Sequence, residues 1–162
     1  MPLEISLKTE SLKALFLHPV FLPAASALCI AQVLKTAVFL LSGRRGKARE
    51  LIEITIWRTG GMPSSHSALV TAMSTSIAFA EGIASTLFVL SFWFTLVVMR
   101  DALGVRRSAG VQARALNNLG RQMAEKFGVV FHPVKEVQGH TPLEVVVGAL
   151  LGIFIAAGFA LL

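Results

Sequence analysis

The sequence predicts an all-α fold, a polytopic transmembrane helix bundle of about four spans with interfacial or re-entrant segments, on three observations. Hydrophobic residues make up 54% of the 162-residue chain and charged residues only 15%. Several apolar stretches approach the ~20 residues that a helix needs to cross a hydrocarbon layer of ~30 Å. The basic residues sit between those stretches, five Lys or Arg in 42–58 and seven in 100–138, against none around Glu81. Under the positive-inside rule this asymmetry puts both basic loops in the cytoplasm and gives four spans with both termini outside. The length suits a single domain, 1–162.

Residues 1–23 form a retained N-terminal segment: Lys8 and Lys13 precede apolar residues, but Pro19 and Pro23 interrupt the run and no clean signal-cleavage site follows. The first span is 24–41, interrupted only by Gln32 and Lys35 and closed by the basic turn Ser42-Gly43-Arg44-Arg45-Gly46-Lys47. Residues 51–57 are apolar but too short to span, and Gly60-Gly61-Met62-Pro63 breaks any helix, so this stretch dips in or lies at the interface. The second span, 65–80, is rich in Ala, Ser and Thr, the small residues that let membrane helices approach closely. After a turn at Glu81-Gly82-Ile83 the third span, 84–99, carries Phe88, Phe92, Trp93 and Phe94, a face suited to lipid. Arg100 and Asp101 mark re-emergence into a cytoplasmic loop, 100–139. Within it, 108–127 places Leu116, Leu119, Met123 and Phe127 at near-helical spacing, with Arg114, Arg121 and Lys126 on other faces, which predicts an amphipathic surface helix. The last span is 141–162, with Pro142 suited to a first helical position.

These features exclude some functions. A net charge of +6 suggests nucleic acid, but the basic residues lie in loops beside apolar stretches, so no nucleic-acid partner is expected. Cys29 is the single cysteine, which rules out an internal disulfide and a cysteine zinc cluster.

Two histidine-bearing stretches carry the chemistry, Gly60-Gly61-Met62-Pro63-Ser64-Ser65-His66-Ser67 and Gly139-His140-Thr141-Pro142-Leu143-Glu144. Each puts a histidine at the start of a membrane helix on the basic face. Helix N-termini present unpaired N–H groups and partial positive charge, so two of them meeting at one surface make an anion pocket. Arg58, Arg106, Arg107 and Lys35 favour a phosphate in it over a carboxylate.

These stretches resemble the type 2 phosphatidic acid phosphatase and vanadium haloperoxidase superfamily. Its Pro-Ser-Gly-His motif stands here as Pro63-Ser64-Ser65-His66, and its His-x-x-x-Asp motif as His140 to Glu144. The chain is closer to the divergent branch, through Gly60 to Ala68, Asp101 to Arg107 with Ala109-Gly110 and Gln112-Ala113, Ala31-Gln32 with Lys35, and Gly139 to Pro142 with Glu144-Val145. The resemblance implies a metal-independent phosphomonoesterase with no cofactor. In it His140 attacks phosphorus, Glu144 orients that imidazole and His66 protonates the leaving alcohol. A phosphohistidine intermediate is then hydrolysed. Phosphate monoesters hydrolyse so slowly that nucleophile, acid and cations must act together. Lys35, Ser65, Arg106, Arg107 and Arg58 are the candidate phosphate-binding residues, supported by Ser64, Asp101 and Gln112. The implied substrate is an amphiphile such as a phosphatidate, a phosphatidylglycerophosphate or a polyprenyl phosphate, met at the cytoplasmic face. Ser65 and Glu144 replace the usual Gly and Asp, and Val134 stands where an arginine is usual, with Lys135 one position off.

Plainer readings stand beside these. Thr141-Pro142-Leu143-Glu144 is also a capping box, with His140 merely the residue before the cap. Ser64 or Ser65 also reads as an ordinary N-cap. Lys35 would cost roughly 2.5–3.5 kcal/mol at the bilayer centre, but ~9 Å from the end of its span it can snorkel. Arg106 and Arg107 also read as positive-inside anchors. Asp101 is read as neutralising nearby arginines, orienting a clamp or holding a metal ion, in that order. His18 and His132 each adjoin a proline and receive no role. The competing function is a lipid-phosphate binding or translocation module without turnover, and a vanadate-dependent haloperoxidase ranks third. Besides membrane lipid and substrate, the small-residue faces allow a homo-oligomer.

Overall fold

The computed structural model describes residues 10–41, 61–136 and 139–162. The expected interfacial stretch 51–57, the basic turn 42–47 and the beginning of the N-terminal segment lie outside them. Five helices follow in chain order: α1 (Phe21–Leu41), α2 (Ser65–Glu81), α3 (Thr86–Leu103), α4 (Val105–Phe127) and α5 (Pro142–Leu161). A short helical stretch, 10–16, precedes α1, and there is no strand among the described residues.

The bundle is turned inside out relative to a soluble protein. Its core is Ala27, Ala31, Ala68, Ala72 and Ala156, all fully buried. Large apolar side chains point outward instead, among them Val33, Leu40, Leu90, Trp93, Val97 and Phe154. Only an apolar solvent makes that arrangement favourable, because in water exposed apolar area costs roughly 25 cal/mol per Å². Three of the described helical stretches, starting at Phe21, Thr86 and Pro142, are long and apolar enough to cross a membrane.

The remaining bundle helix, α2, has 17 residues, a length of ~26 Å. It packs against α1, α3 and α5 and is the axis of the bundle. Its serines and threonines face those neighbours. Thr71 Oγ1 donates to Ala149 O (3.0 Å) and to Ser67 O (2.7 Å), Thr95 Oγ1 to Val70 O (3.1 Å), and Ser91 Oγ to Ser74 Oγ (3.2 Å). Such bonds contribute ~0.6 kcal/mol each between membrane helices. On the α5 side, a Cβ at Gly148 would overlap the Ser64 carbonyl oxygen, and one at Gly152 the Ala68 carbonyl and the Thr71 hydroxyl. Glycines four residues apart thus let the α5 backbone touch that of α2.

Helix ends follow local chemistry. Ser85 caps α3 by accepting from Phe88 N (3.1 Å), so α3 starts two residues after the expected 84. Gly82, at φ +85°, closes α2. Pro23, expected to interrupt a helix, lies in the first turn of α1, where the amide it lacks has no helical acceptor. α1 accordingly starts at Phe21 and not at 24. His18 has a local structural part: its Nδ1 accepts from Val20 N (3.2 Å) in the turn ahead of α1. α3 continues through Arg100 and Asp101 to Leu103, and Gly104 joins it to α4, which starts three residues before the expected 108.

Candidate active site

The site is assembled where α2 and α5 begin. Thr141 caps α5: its hydroxyl accepts from Glu144 N (3.4 Å), while Glu144 Oε2 accepts from Thr141 N (3.1 Å), with Pro142 in the first turn. The same Oε2 lies 2.9 Å from His140 Nδ1. The capping box and the His–Glu pair, read from the sequence as alternatives, therefore coexist on one carboxylate oxygen. An ionised carboxylate only accepts, so in this pairing Nδ1 carries a proton, and in the neutral imidazole Nε2 keeps its lone pair.

His140 is 3% exposed and Glu144 is half-buried. The backbone places the histidine as well: His140 N donates to Ala102 O (3.3 Å) at the end of α3, and Gly139 lies against the backbone of Arg107 so closely that a Cβ would overlap it. On the α2 side, Ser64 N donates to Glu144 O (2.9 Å), which ties the two helix starts together directly. Ser64 is the N-cap; its fully buried hydroxyl accepts from Ser67 N (3.4 Å) and Ser67 Oγ (3.0 Å) and is occupied by the helix. Ser65 is the first residue of α2 and buried, and His66, the second, is exposed.

Lys35 comes from α1. It is 4% exposed, and its ammonium is close enough to the Glu144 carboxylate for the two charges to attract. Its aliphatic stem runs beside Gly61, where an added Cβ would lie 3.6 Å from Lys35 Cγ. Gly61 has φ +90°, a conformation that only glycine adopts cheaply, so the turn before Pro63 folds onto the lysine because residue 61 has no side chain. One turn earlier on α1, Gln32 has a buried Oε1 with no hydrogen-bond partner among the described residues.

His140, Glu144, Lys35, Ser64 and Ser65 are thus gathered at one end of the bundle, with His66 on the first turn of α2. Asp101 is half-buried beside Ala102, and Arg107 is exposed with its backbone at Gly139. Gln112 is exposed on α4, ~7.5 Å of helix beyond Arg107. Arg58 and the side chain of Arg106 lie outside the described residues. Three participants were missing from the sequence reading: the Ala102 carbonyl, Gly61 as a platform for Lys35, and Gly148 as the point where α5 meets Ser64. The glycines were legible as letters, but their contacts join segments far apart in sequence.

The described residues include no group of three or more His, Cys, Asp or Glu able to hold a metal ion. A separate cavity of about 450 Å³ lies at the opposite end of the bundle, lined by His18, Leu22, Ser76, Phe79, Ala156 and Phe159 among others. Among the described residues its lining holds no Lys or Arg.

Residues 16–155 match the family described as Divergent PAP2. The chain belongs to that family. The match takes in α1 to α4 and most of α5, and with them both histidine stretches. The chain is also 40% identical, over 146 residues, to the uncharacterized membrane protein YuiD of Bacillus subtilis (strain 168), covering 83% of this chain and 89% of that protein. No solved structure matches the chain significantly. A membrane protein of the Divergent PAP2 family is what the inside-out bundle and its helix-end site both fit.

Proposed function

We propose that this protein is a membrane phosphomonoesterase that hydrolyses a lipid phosphate through a phosphohistidine at His140. The observation that carries the reading is the 2.9 Å contact between His140 Nδ1 and Glu144 Oε2, set among two helix N-termini and a buried lysine. With Nδ1 protonated towards Glu144, Nε2 is the nucleophile. It forms a P–N bond as the P–O bond to the lipid alcohol breaks, and the proton of the His66 imidazolium goes to the departing oxygen. His66 then takes a proton from water, whose oxygen attacks phosphorus, and the P–N bond breaks to release inorganic phosphate. Glu144 stabilises the positive charge that His140 acquires, and Lys35 with the first-turn N–H groups of α2 neutralises the phosphoryl oxygens. Arg107, Arg106 and Arg58 are proposed to complete the cation set, with Ser65, Asp101 and Gln112 around it.

The substrate class is an amphiphilic phosphate of the phosphatidate, phosphatidylglycerophosphate or polyprenyl type, presented at the cytoplasmic face. Its tail stays in lipid while the headgroup reaches the helix ends. The test is phosphate release from a panel of such lipids by purified protein in detergent, with and without EDTA, for wild type, His140→Ala and His66→Ala. EDTA-resistant release that disappears in both variants supports the mechanism. Folded protein that binds these lipids without releasing phosphate would replace the phosphatase reading with that of a binding module.

A further inference from the structure

Among the described helices, α4 packs against α3 and against no other. Leu116, Leu119, Met123 and Phe127 recur at three- and four-residue spacing, which puts them on one ridge, and all are 45–63% exposed. Arg107, Arg114 and Arg121 follow one another at seven-residue spacing, forming a second exposed row on the far side of the helix.

The chain's own following segment covers a flank of α4 and leaves that ridge bare. Phe131 sits over Gly120, where any Cβ would strike the ring. Asn117 clasps the segment from both sides, donating to Val134 O (3.0 Å) and Glu136 Oε1 (2.9 Å) and accepting from Val134 N (2.9 Å). Val129 and Val130, 53% and 84% exposed, add apolar surface next to Phe127.

We infer that α4 lies in the interfacial plane of an anionic membrane leaflet, its Leu116–Leu119–Met123–Phe127 ridge in the acyl boundary and its arginine row level with the lipid phosphates. Two observations select lipid over a second copy of the chain. First, α4 leaves α3 through Gly104 alone, so it starts where a membrane-crossing helix emerges and meets the headgroup layer first. Second, residues 105–136 hold six basic and two acidic residues, a surplus that two copies would set against itself and that anionic lipid neutralises. The dimensions agree. An interfacial helix sinks ~5–10 Å and is ~10–12 Å across, so its upper row lies within a headgroup layer of ~5–7 Å. Because the backbone at Arg107 abuts Gly139, the depth of α4 also sets the height of His140 against the lipid phosphates.

The test uses full-length protein in vesicles of phosphatidylcholine with or without phosphatidylglycerol. In a Cys29→Ser background, single cysteines replace Leu116, Leu119 and Met123 on the ridge, or Arg114, Asn118 and Arg121 away from it. Each carries a spin label whose relaxation is read with oxygen, which partitions into lipid, and with a water-soluble nickel chelate. The expected result is an oxygen-to-nickel ratio several-fold higher at the ridge, falling when phosphatidylglycerol is omitted. Equal ratios on both rows, ridge labels shielded from both reagents as a second copy would shield them, or a ratio indifferent to lipid charge would overturn the inference. Phosphatase activity does not enter the measurement, so its outcome is independent of the proposed reaction.

Discussion

Gly148→Ala is the smallest change that should separate the two halves of the site. The added Cβ would overlap the Ser64 carbonyl oxygen and stand 3.1 Å from both Ser64 C and Ser64 N. All three are backbone atoms at a helix start and cannot rotate away. Restoring ordinary contact requires α5 to withdraw from α2 by about 1 Å, and a displacement of that size at reacting groups costs on the order of 10²-fold in rate. The withdrawal also stretches the 2.9 Å bond from Ser64 N to Glu144 O, a loss of about 1 kcal/mol. Alanine is otherwise the better helix former by about 1 kcal/mol, so the variant should remain folded and inserted. Gly158→Ala is the matched control, because a Cβ there meets nothing within 4 Å. Phosphate release and thermal unfolding in detergent would be measured for both. Gly158→Ala should equal or exceed wild type in both assays, whereas Gly148→Ala should lose about two orders of magnitude in turnover. A Gly148→Ala protein more stable than wild type and equally active would show that the two helix starts need not touch, and the argument for a shared site would fail.

Glu144→Gln keeps the side-chain shape and removes the charge that orients His140. Turnover should fall by about 10²–10⁴-fold while melting shifts little, whereas Glu144→Asp, which keeps the charge on a shorter stem, should retain more of it. Lys35→Met should part stability from function. It removes one partner of the Lys35–Glu144 attraction, a loss of up to about 3–5 kcal/mol when the remaining charge is left buried and alone, but Glu144 is half-buried and keeps His140 and Thr141 as partners. Melting should therefore fall by less than that while affinity for a lipid phosphate is lost; a large fall in melting with binding retained would make the lysine structural. Asn117→Ala removes all three bonds that hold 134–136 to α4, so limited proteolysis should cut that segment faster than in wild type.

The fold was largely legible because hydropathy and turn chemistry are local. The apolar runs of α1, α3 and α5 and the Thr141-Pro142 start of α5 could be read directly. Boundaries slipped where a residue's usual meaning depends on its register. Pro23 reads as a breaker but is harmless in a first turn, and Arg100 reads as a membrane surface but does not end its helix. The central position of α2 was visible only indirectly, through its small and hydroxylated residues. At the site, the residue types and spacing were readable, but the contacts that orient them were not. Ala102 and His140, or Gly148 and Ser64, are separated by tens of residues and meet only through packing, which a single chain without its fold does not display.

The shared oxygen of Glu144 suggests why a folding motif and the proposed reactive pair occur together. A capping box needs a carboxylate or amide three residues after the cap, reaching back to the backbone N–H. A histidine just before the cap then finds that carboxylate already immobilised, so its orientation requires no further ordering of the acid. The carboxylate has two oxygens and about four lone-pair sites, enough for the backbone amide, the imidazole and the attraction of Lys35 together. In a bundle whose central buried cluster is alanine, few large side chains are available to brace His140. Bracing therefore falls to helix caps and to backbone contacts made close by glycine, and these hold His140 on three sides: Glu144 at Nδ1, Ala102 at the amide and Gly139 against Arg107. With Nδ1 committed to Glu144, Nε2 is the ring nitrogen through which the proposed phosphoryl transfer would run, so the proposed chemistry depends on the same helix start that folds the site.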